Sequence, residues 1–215
     1  MTQKRSTKRE DVEAQKLADT KYPIEDALRR RCSTLAFAAR PVEVAKLRQL
    51  FEAARWAPSS FNEQPWSFLL TTKDEGPEDY ERLASCLIGH NRDWAVRAPV
   101  LVLSIAKRHF EIGGRVNQYS AHDVGLATEN LIIQATAVNL FVHLIAGFDG
   151  ARARELFAIP NTHEPVCVFA IGYFGDLETL PADLQRRELA PRQRRPFRDF
   201  VFSGRWGEPT TLIPD

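Results

Sequence analysis

The chain has 215 residues, 44% of them hydrophobic, which suits a single domain able to build a sizeable core and to bury a subunit interface. Its 29 basic and 28 acidic residues leave a formal net charge of +1, so no global field draws it to nucleic acid or anionic lipid. No run reaches the roughly 18 apolar residues of a membrane span and the first 21 residues lack the apolar core of a secretory signal, so a cytoplasmic location is expected.

Residues 1–21 alternate Lys, Arg, Asp, Glu, Gln and Thr with little to bury, which predicts a disordered or loosely helical tail; residues 22–215 then form one domain. Ile24, Ala27, Leu28 and Arg31 predict a first helix over Tyr22 to Cys32, ending in the basic triplet Arg29-Arg30-Arg31. Pro41 opens a second helix, whose face Val44, Leu47, Phe51 and Ala54 continues until Pro58 stops it. The stretch Ala57-Pro58-Ser59-Ser60-Phe61-Asn62-Glu63-Gln64-Pro65-Trp66 follows. Proline fixes its backbone while Ser and Asn offer donors and acceptors, so it is either an ordinary helix-ending turn or a rigid rack for a polar ligand.

Trp66 to Thr72 reads as a strand, Pro77 to Cys86 as a short amphipathic helix, and Pro99 to Ala106 as a buried strand. Lys107 to Tyr119 mixes charge, Gly113-Gly114 and aromatics without a period, which predicts a flexible loop able to cover a pocket. From Ser120 to Val138 apolar residues occupy one helix face (Val124, Ala127, Leu131, Ala135, Val138) and a second (Leu126, Ile133, Ala137). Such a helix must be buried, centrally or across a dimer interface. Asn139 to Phe148 predicts a strand, Ala151 to Phe157 a helix, and Val166 to Phe174 a last core strand. Beyond Gly175 the chain is polar, yet Phe197, Phe200, Phe202 and Trp206 need something to pack on, and another subunit is the natural support.

Strands separated irregularly by helices define an α+β architecture. There is no GxGxxG after a strand and no GxxxxGK[ST], so a bound nucleotide must be held by side chains. Cys32, Cys86 and Cys167 show no CxxC spacing and suit inert packing in a reducing compartment. The five histidines lack metal-ligand spacing, and no metal is expected.

Arg31-Cys32-Ser33, the Pro58 to Trp66 loop, the long apolar helix, a Gly147-Phe148 turn and Arg192-Gln193-Arg194-Arg195-Pro196 follow in an order that resembles the nitroreductase family of FMN-dependent NAD(P)H oxidoreductases, from about Ile24 to Trp206. The resemblance implies a central, mostly antiparallel sheet flanked by helices. It also implies a C-terminal extension, about residues 176–215, reaching the partner of a homodimer whose flavin sites lie at the subunit interface. Arg31, Cys32, Ser33 and Leu35 match the family's Arg-x-Ser element, where Arg31 would grip the FMN phosphate through its fork of donors, supported by the Ser33 hydroxyl. Pro58, Ser59, Ser60 and Asn62 match a loop that reaches a flavin held mainly by the other subunit. Asn91 matches a contact to the ring edge, and Ala146 and Gly147 a turn beside the ring face. Arg192 and Arg194 match a basic pair that closes over the phosphate; read alone, that cluster is a solvated tail or a weak nucleic-acid patch.

The chemistry so implied is hydride transfer from NADH or NADPH, through flavin N5, to a quinone, nitroaromatic or activated alkene by a ping-pong mechanism. The chain need supply no catalytic acid, base or nucleophile. Three departures stand out. Leu35 replaces the usual basic residue and Trp94 stands near where some relatives carry a lysine, which predicts a lower reduction potential or slower reduction. Asn139 replaces a glycine common after the long helix. Other functions consistent with the resemblance are a specialised flavin reaction, such as reductive dehalogenation or flavin fragmentation, and a non-catalytic flavin carrier or degenerate dimeric scaffold.

Overall fold

The computed structural model describes residues 15–214. Helices α1 (Asp26–Arg30) and α2 (Val44–Arg55) precede strand β1 (Trp66–Thr72); helices α3 (Pro77–Ala84) and α4 (Asn91–Ala95) precede β2 (Val100–Lys107). The long α5 (Ser120–Ala137), β3 (Phe141–Ile145), α6 (Gly150–Leu156), β4 (His163–Gly172) and α7 (Ala182–Leu189) complete the order.

The four strands form one sheet, β1-β2-β4-β3, with every neighbouring pair antiparallel. Alternation along a strand explains why β2 is apolar from Val100 to Leu103. Val100 and Val102 face one layer with Leu47, Leu50 and Ala54 of α2 and Ala127, Leu131 and Ala135 of α5. Leu101 and Leu103 face the opposite layer, with Tyr80 and Leu83 of α3, Trp94 of α4 and Ala153 of α6. A strand at the centre of three layers has no face left for water, so a polar alternation would bury unpaired groups.

The predicted strands and the helices α2, α3, α5 and α6 stand within a few residues of their expected bounds, and α1 is shorter than its expected span. The short α4 and the polar α7 were not foreseen. Only one face of α5 is closed within the protomer: Val124, Ala127, Leu131 and Ala135 are buried, Leu126 and Ile133 partly so, and Ala137 is exposed. Asn139 closes this helix with φ of 60°, and the Leu140 N–H donates to the Ala135 carbonyl at 2.8 Å. After glycine, asparagine tolerates that left-handed geometry best, which accounts for the replacement.

Residues 1–14 of the expected tail lie outside the described residues. Lys16 and Ala18, placed in that tail by composition, are instead held: Lys16 is buried and pairs with Glu188, and the Ala18 N–H donates to the Arg29 carbonyl. The C-terminal segment finds part of its support in its own chain, with Phe197 stacked on Tyr22 at 5.8 Å and Phe202 against Trp206 at 5.2 Å. Trp206 nevertheless stays 93% exposed. Among the described residues no helix is long and apolar enough to cross a membrane, and no cluster of His, Cys, Asp and Glu is arranged to hold a metal.

Candidate cofactor site

Helix α1 ends at Arg30, whose guanidinium turns back to Asp26 and to the Thr136 carbonyl at the end of α5. Arg31, in extended backbone, is left for other work: its Nη1 lies 3.5 Å from the Ser33 hydroxyl. Arg192 returns from the C-terminal segment to the same place and donates through Nη1 to the carbonyls of Lys16 at 2.7 Å and Arg29 at 3.2 Å. Burial first, and then the like charges of Arg31 and Arg194, push its pKa below the ordinary guanidinium value. Arg194 is exposed and its Nη1 donates to the Gln193 carbonyl. No carboxylate among the described residues forms an ion pair with these three arginines. Burial raises the pKa of Glu129, and Arg31 opposes that rise. Like charges gathered in this way repel one another, and a phosphate dianion would offset that repulsion while using their fixed donors.

Cys32 and Leu35, expected at this wall, have buried side chains. Cys32 is 6% exposed, and burial, then Glu188, raises its thiol pKa against the pull of Lys16, Arg192 and Arg31. Leu35 is 4% exposed in the core cluster with Phe37 and Trp94, and its N–H is taken by Glu188. Trp94 is buried as well, 4.2 Å from His143 and 6.4 Å from Phe37 between ring centroids. Both side chains are uncharged and closed into the core, so neither adds the positive charge that would raise a bound flavin's potential. Leu35→Lys would bury a charge without probing it.

The free edge of β3 continues the site. His143 donates through Nδ1 to the Thr34 carbonyl at 2.8 Å, next to Ser33; the carbonyl can only accept, which fixes the proton on that nitrogen. Three residues on, about 10 Å along an extended strand, come Ala146, exposed, and Gly147. Asn91, at the start of α4, donates through Nδ2 to the Gly147 carbonyl at 3.1 Å. A Cβ on Gly147 would stand 2.4 Å from that nitrogen, so the close approach needs glycine. Ser33, His143, Ala146, Gly147 and Asn91 thus line one edge, with the arginines at one end.

Burial, followed by the charges of Arg187, Lys16 and Arg31, lowers the pKa of His143 from its ordinary 6.5, against the effect of the Thr34 bond. The folded state therefore binds fewer protons than the unfolded one as pH falls below about 6.5, so the His143 contribution to stability is present above that pH and is lost beneath it. Melting temperatures between pH 7.5 and 5 should fall more steeply for the wild type than for His143→Gln; parallel curves would contradict this assignment.

The Pro58 to Asn62 loop sits elsewhere. Phe61, Asn62 and Gln64 adopt left-handed φ values of 54°, 54° and 50°. The Ser60 N–H donates to Asp123 Oδ2 at 2.9 Å, and Ser59 Oγ accepts from the Gln64 N–H at 3.0 Å. Asp123, in the first turn of α5, is 2% exposed and also meets His122 Nδ1. It was not among the expected site residues, although an acid on the inner stripe of an apolar helix marks it. Phe61 is 80% exposed, edge-on to Phe110 at 5.8 Å, with Arg115 over both rings. Together with Ser60 and Tyr119 these residues line an open cavity of about 420 Å³, which joins the expected covering loop to the polar turn. Asp123 anchors one end of α5 while Arg30 binds Thr136 near the other, about 20 Å apart at 1.5 Å per residue. No described contact within the protomer brings this loop to the arginines.

An antiparallel sheet between helical layers, with Arg31, Arg192 and Arg194 near one end of a strand edge and a polar turn carried by the long helix, defines an α+β protein. The model of the Nitroreductase family matches residues 28–173, and the chain belongs to that family. Arg192 and Arg194 lie beyond the matched segment. A solved structure described as an oxidoreductase containing FMN is 32% identical, with a TM-score of 0.82 over 87% of this chain and 95% of that one. A 15.4 kDa uncharacterised protein of Mycolicibacterium smegmatis is 33% identical over 139 residues, 65% of this chain and 92% of its own length. A Streptomyces coelicolor protein whose name suggests an NADH dehydrogenase/NAD(P)H nitroreductase is 30% identical over 158 residues, 64% of this chain and 76% of its own.

Proposed function

We propose that the protein is an FMN-dependent oxidoreductase acting as a homodimer. It passes hydride from NADH or NADPH to a small electron-poor acceptor, a quinone, nitroaromatic or activated alkene, by a ping-pong mechanism. The observation that carries this reading is the group of Arg31, Arg192 and Arg194, with no ion-paired carboxylate among the described residues, in a chain 32% identical to an FMN-containing oxidoreductase. Arg31, Arg192, Arg194 and Ser33 would hold the phosphate. Asn91, Ala146 and Gly147 would flank the ring, whose chemistry when bound is to accept and return a hydride.

The remaining residues fit a supporting role. Burial keeps the thiols of Cys32, Cys86 and Cys167 protonated by raising their pKa values, and His143 is engaged with Thr34, so none competes as a nucleophile or base. Because the Pro58 to Asn62 loop is anchored away from the arginines, it serves the site of a second protomer. The incompletely covered face of α5 provides a surface for that pairing. The cavity at Phe61, Phe110 and Arg115 then adjoins the acceptor.

The purified protein should be yellow with about one FMN per protomer, and NADH or NADPH should bleach it without oxygen. A colourless protein that refuses FMN would sink this function. A yellow protein inert to both nicotinamides would make it a flavin carrier.

A further inference from the structure

Glu188 is the least expected charge in the fold. It stands on the last turn of α7, a helix whose other buried residue is Leu184, and is 1% exposed. A carboxylate so far from water destabilises the fold unless an opposite charge and a hydrogen bond offset its lost hydration. Oε2 accepts the Leu35 N–H at 2.6 Å; Oε1 has no hydrogen-bond partner among the described residues and is met by charge alone, from the Lys16 ammonium at 3.5 Å, which is itself buried. Leu35 is four residues after Arg31, so Glu188 braces the segment that carries that arginine.

Lys16 makes a second tie through its backbone. Its carbonyl accepts Arg192 Nη1 at 2.7 Å, beside the Arg29 carbonyl that takes the same nitrogen. One residue near the start of the described chain therefore joins a carboxylate at the end of α7 to a guanidinium four residues further on. The Ala18 N–H, donating to the Arg29 carbonyl, ties the same segment to α1. Arg192 is otherwise a long side chain on an irregular segment, repelled by Arg31 and Arg194. Without such ties it would sample many rotamers, and ordering it on ligand arrival would cost affinity.

We infer that Lys16 and Glu188 form a clasp that sets Arg192 beside Arg31 before the cofactor binds, making both of them positioning residues for the phosphate end of the site. This role rests on the FMN reading above. The clasp acts on a phosphate and on nothing else in the ligand, which separates it from a general contribution to folding.

The test compares FMN with riboflavin, which shares the ring and lacks the phosphate, on full-length protein by quenching of flavin fluorescence. Lys16→Met should weaken FMN about tenfold, equivalent to about 1.4 kcal/mol, and leave riboflavin unchanged. Lys16→Arg should restore most of the loss. Glu188→Gln, whose amide oxygen still accepts the Leu35 N–H, should show the same selective loss, and the double variant should be no worse than either single one. If the wild type prefers FMN and both variants keep that preference, the clasp is overturned while the phosphate site stands. Equal loss of both flavins would reduce the pair to a structural role and overturn the inference as well. A wild type that binds the two flavins equally would remove the phosphate site and the clasp with it.

Discussion

Alanine at both Arg31 and Arg194 is expected to leave a folded protein that no longer retains FMN. A hydrogen bond to a charged group contributes about 1.5–3 kcal/mol, so losing two such phosphate contacts should weaken FMN by at least about 100-fold. Neither guanidinium forms an ion pair in the described fold, and Arg194 is exposed. The melting temperature of the flavin-free protein should therefore move little. Flavin-to-protein absorbance after gel filtration, together with thermal unfolding of the stripped protein, reads both quantities. Undiminished flavin retention in the double variant would overturn the cofactor site, and a large fall in melting temperature would instead make the arginines structural.

Gly175→Ala should have the largest effect on stability. A Cβ there would lie 2.5 Å from the Phe37 carbonyl carbon, 2.6 Å from its oxygen and 2.7 Å from the Ala38 nitrogen. All three are backbone atoms, which cannot swing aside as a side-chain tip can. The same place is held by two hydrogen bonds, Gly175 N–H to the Ala36 carbonyl at 2.8 Å and Ala38 N–H to the Tyr173 carbonyl at 2.9 Å. One methyl must push the 36–38 segment off the end of β4. Forced overpacking and the loss of this pairing together should cost about 3 kcal/mol or more, which for a chain of this size lowers the melting temperature by roughly 6–12 °C. The disturbed segment follows Arg31 to Leu35 directly, so FMN should weaken as well. A melting temperature within 2 °C of the wild type would show that the backbone there yields more than its packing allows.

The strands were legible because the physics that forms them is local. The apolar run of β2 states that both faces are covered, and the two layers against Val100–Val102 and Leu101–Leu103 are the reason. Helix α4 has five residues, too few to display a period, and α7 buries chiefly Leu184 and Glu188, so composition gave no stripe to follow. In the site, residue types and order located the arginines and the polar turn. Side-chain direction was another matter. Cys32, Leu35 and Trp94 occupy the expected stretches of chain but are buried, Leu35 and Trp94 among core residues supplied by distant segments. Asp123, Lys16 and Glu188 escaped notice for the same reason: their partners are set by tertiary packing, and the Lys16 to Arg192 contact spans 176 positions.

Three left-handed backbones between Phe61 and Gln64, of which Phe61 and Gln64 each cost about 1 kcal/mol or more, describe a shape that a free decapeptide would abandon. The turn holds because an acid from the neighbouring helix grips the Ser60 amide at its root. Its form is thus lent to it by α5, and any scaffold that borrows residues 57–66 without an equivalent of Asp123 would inherit the letters and not the conformation.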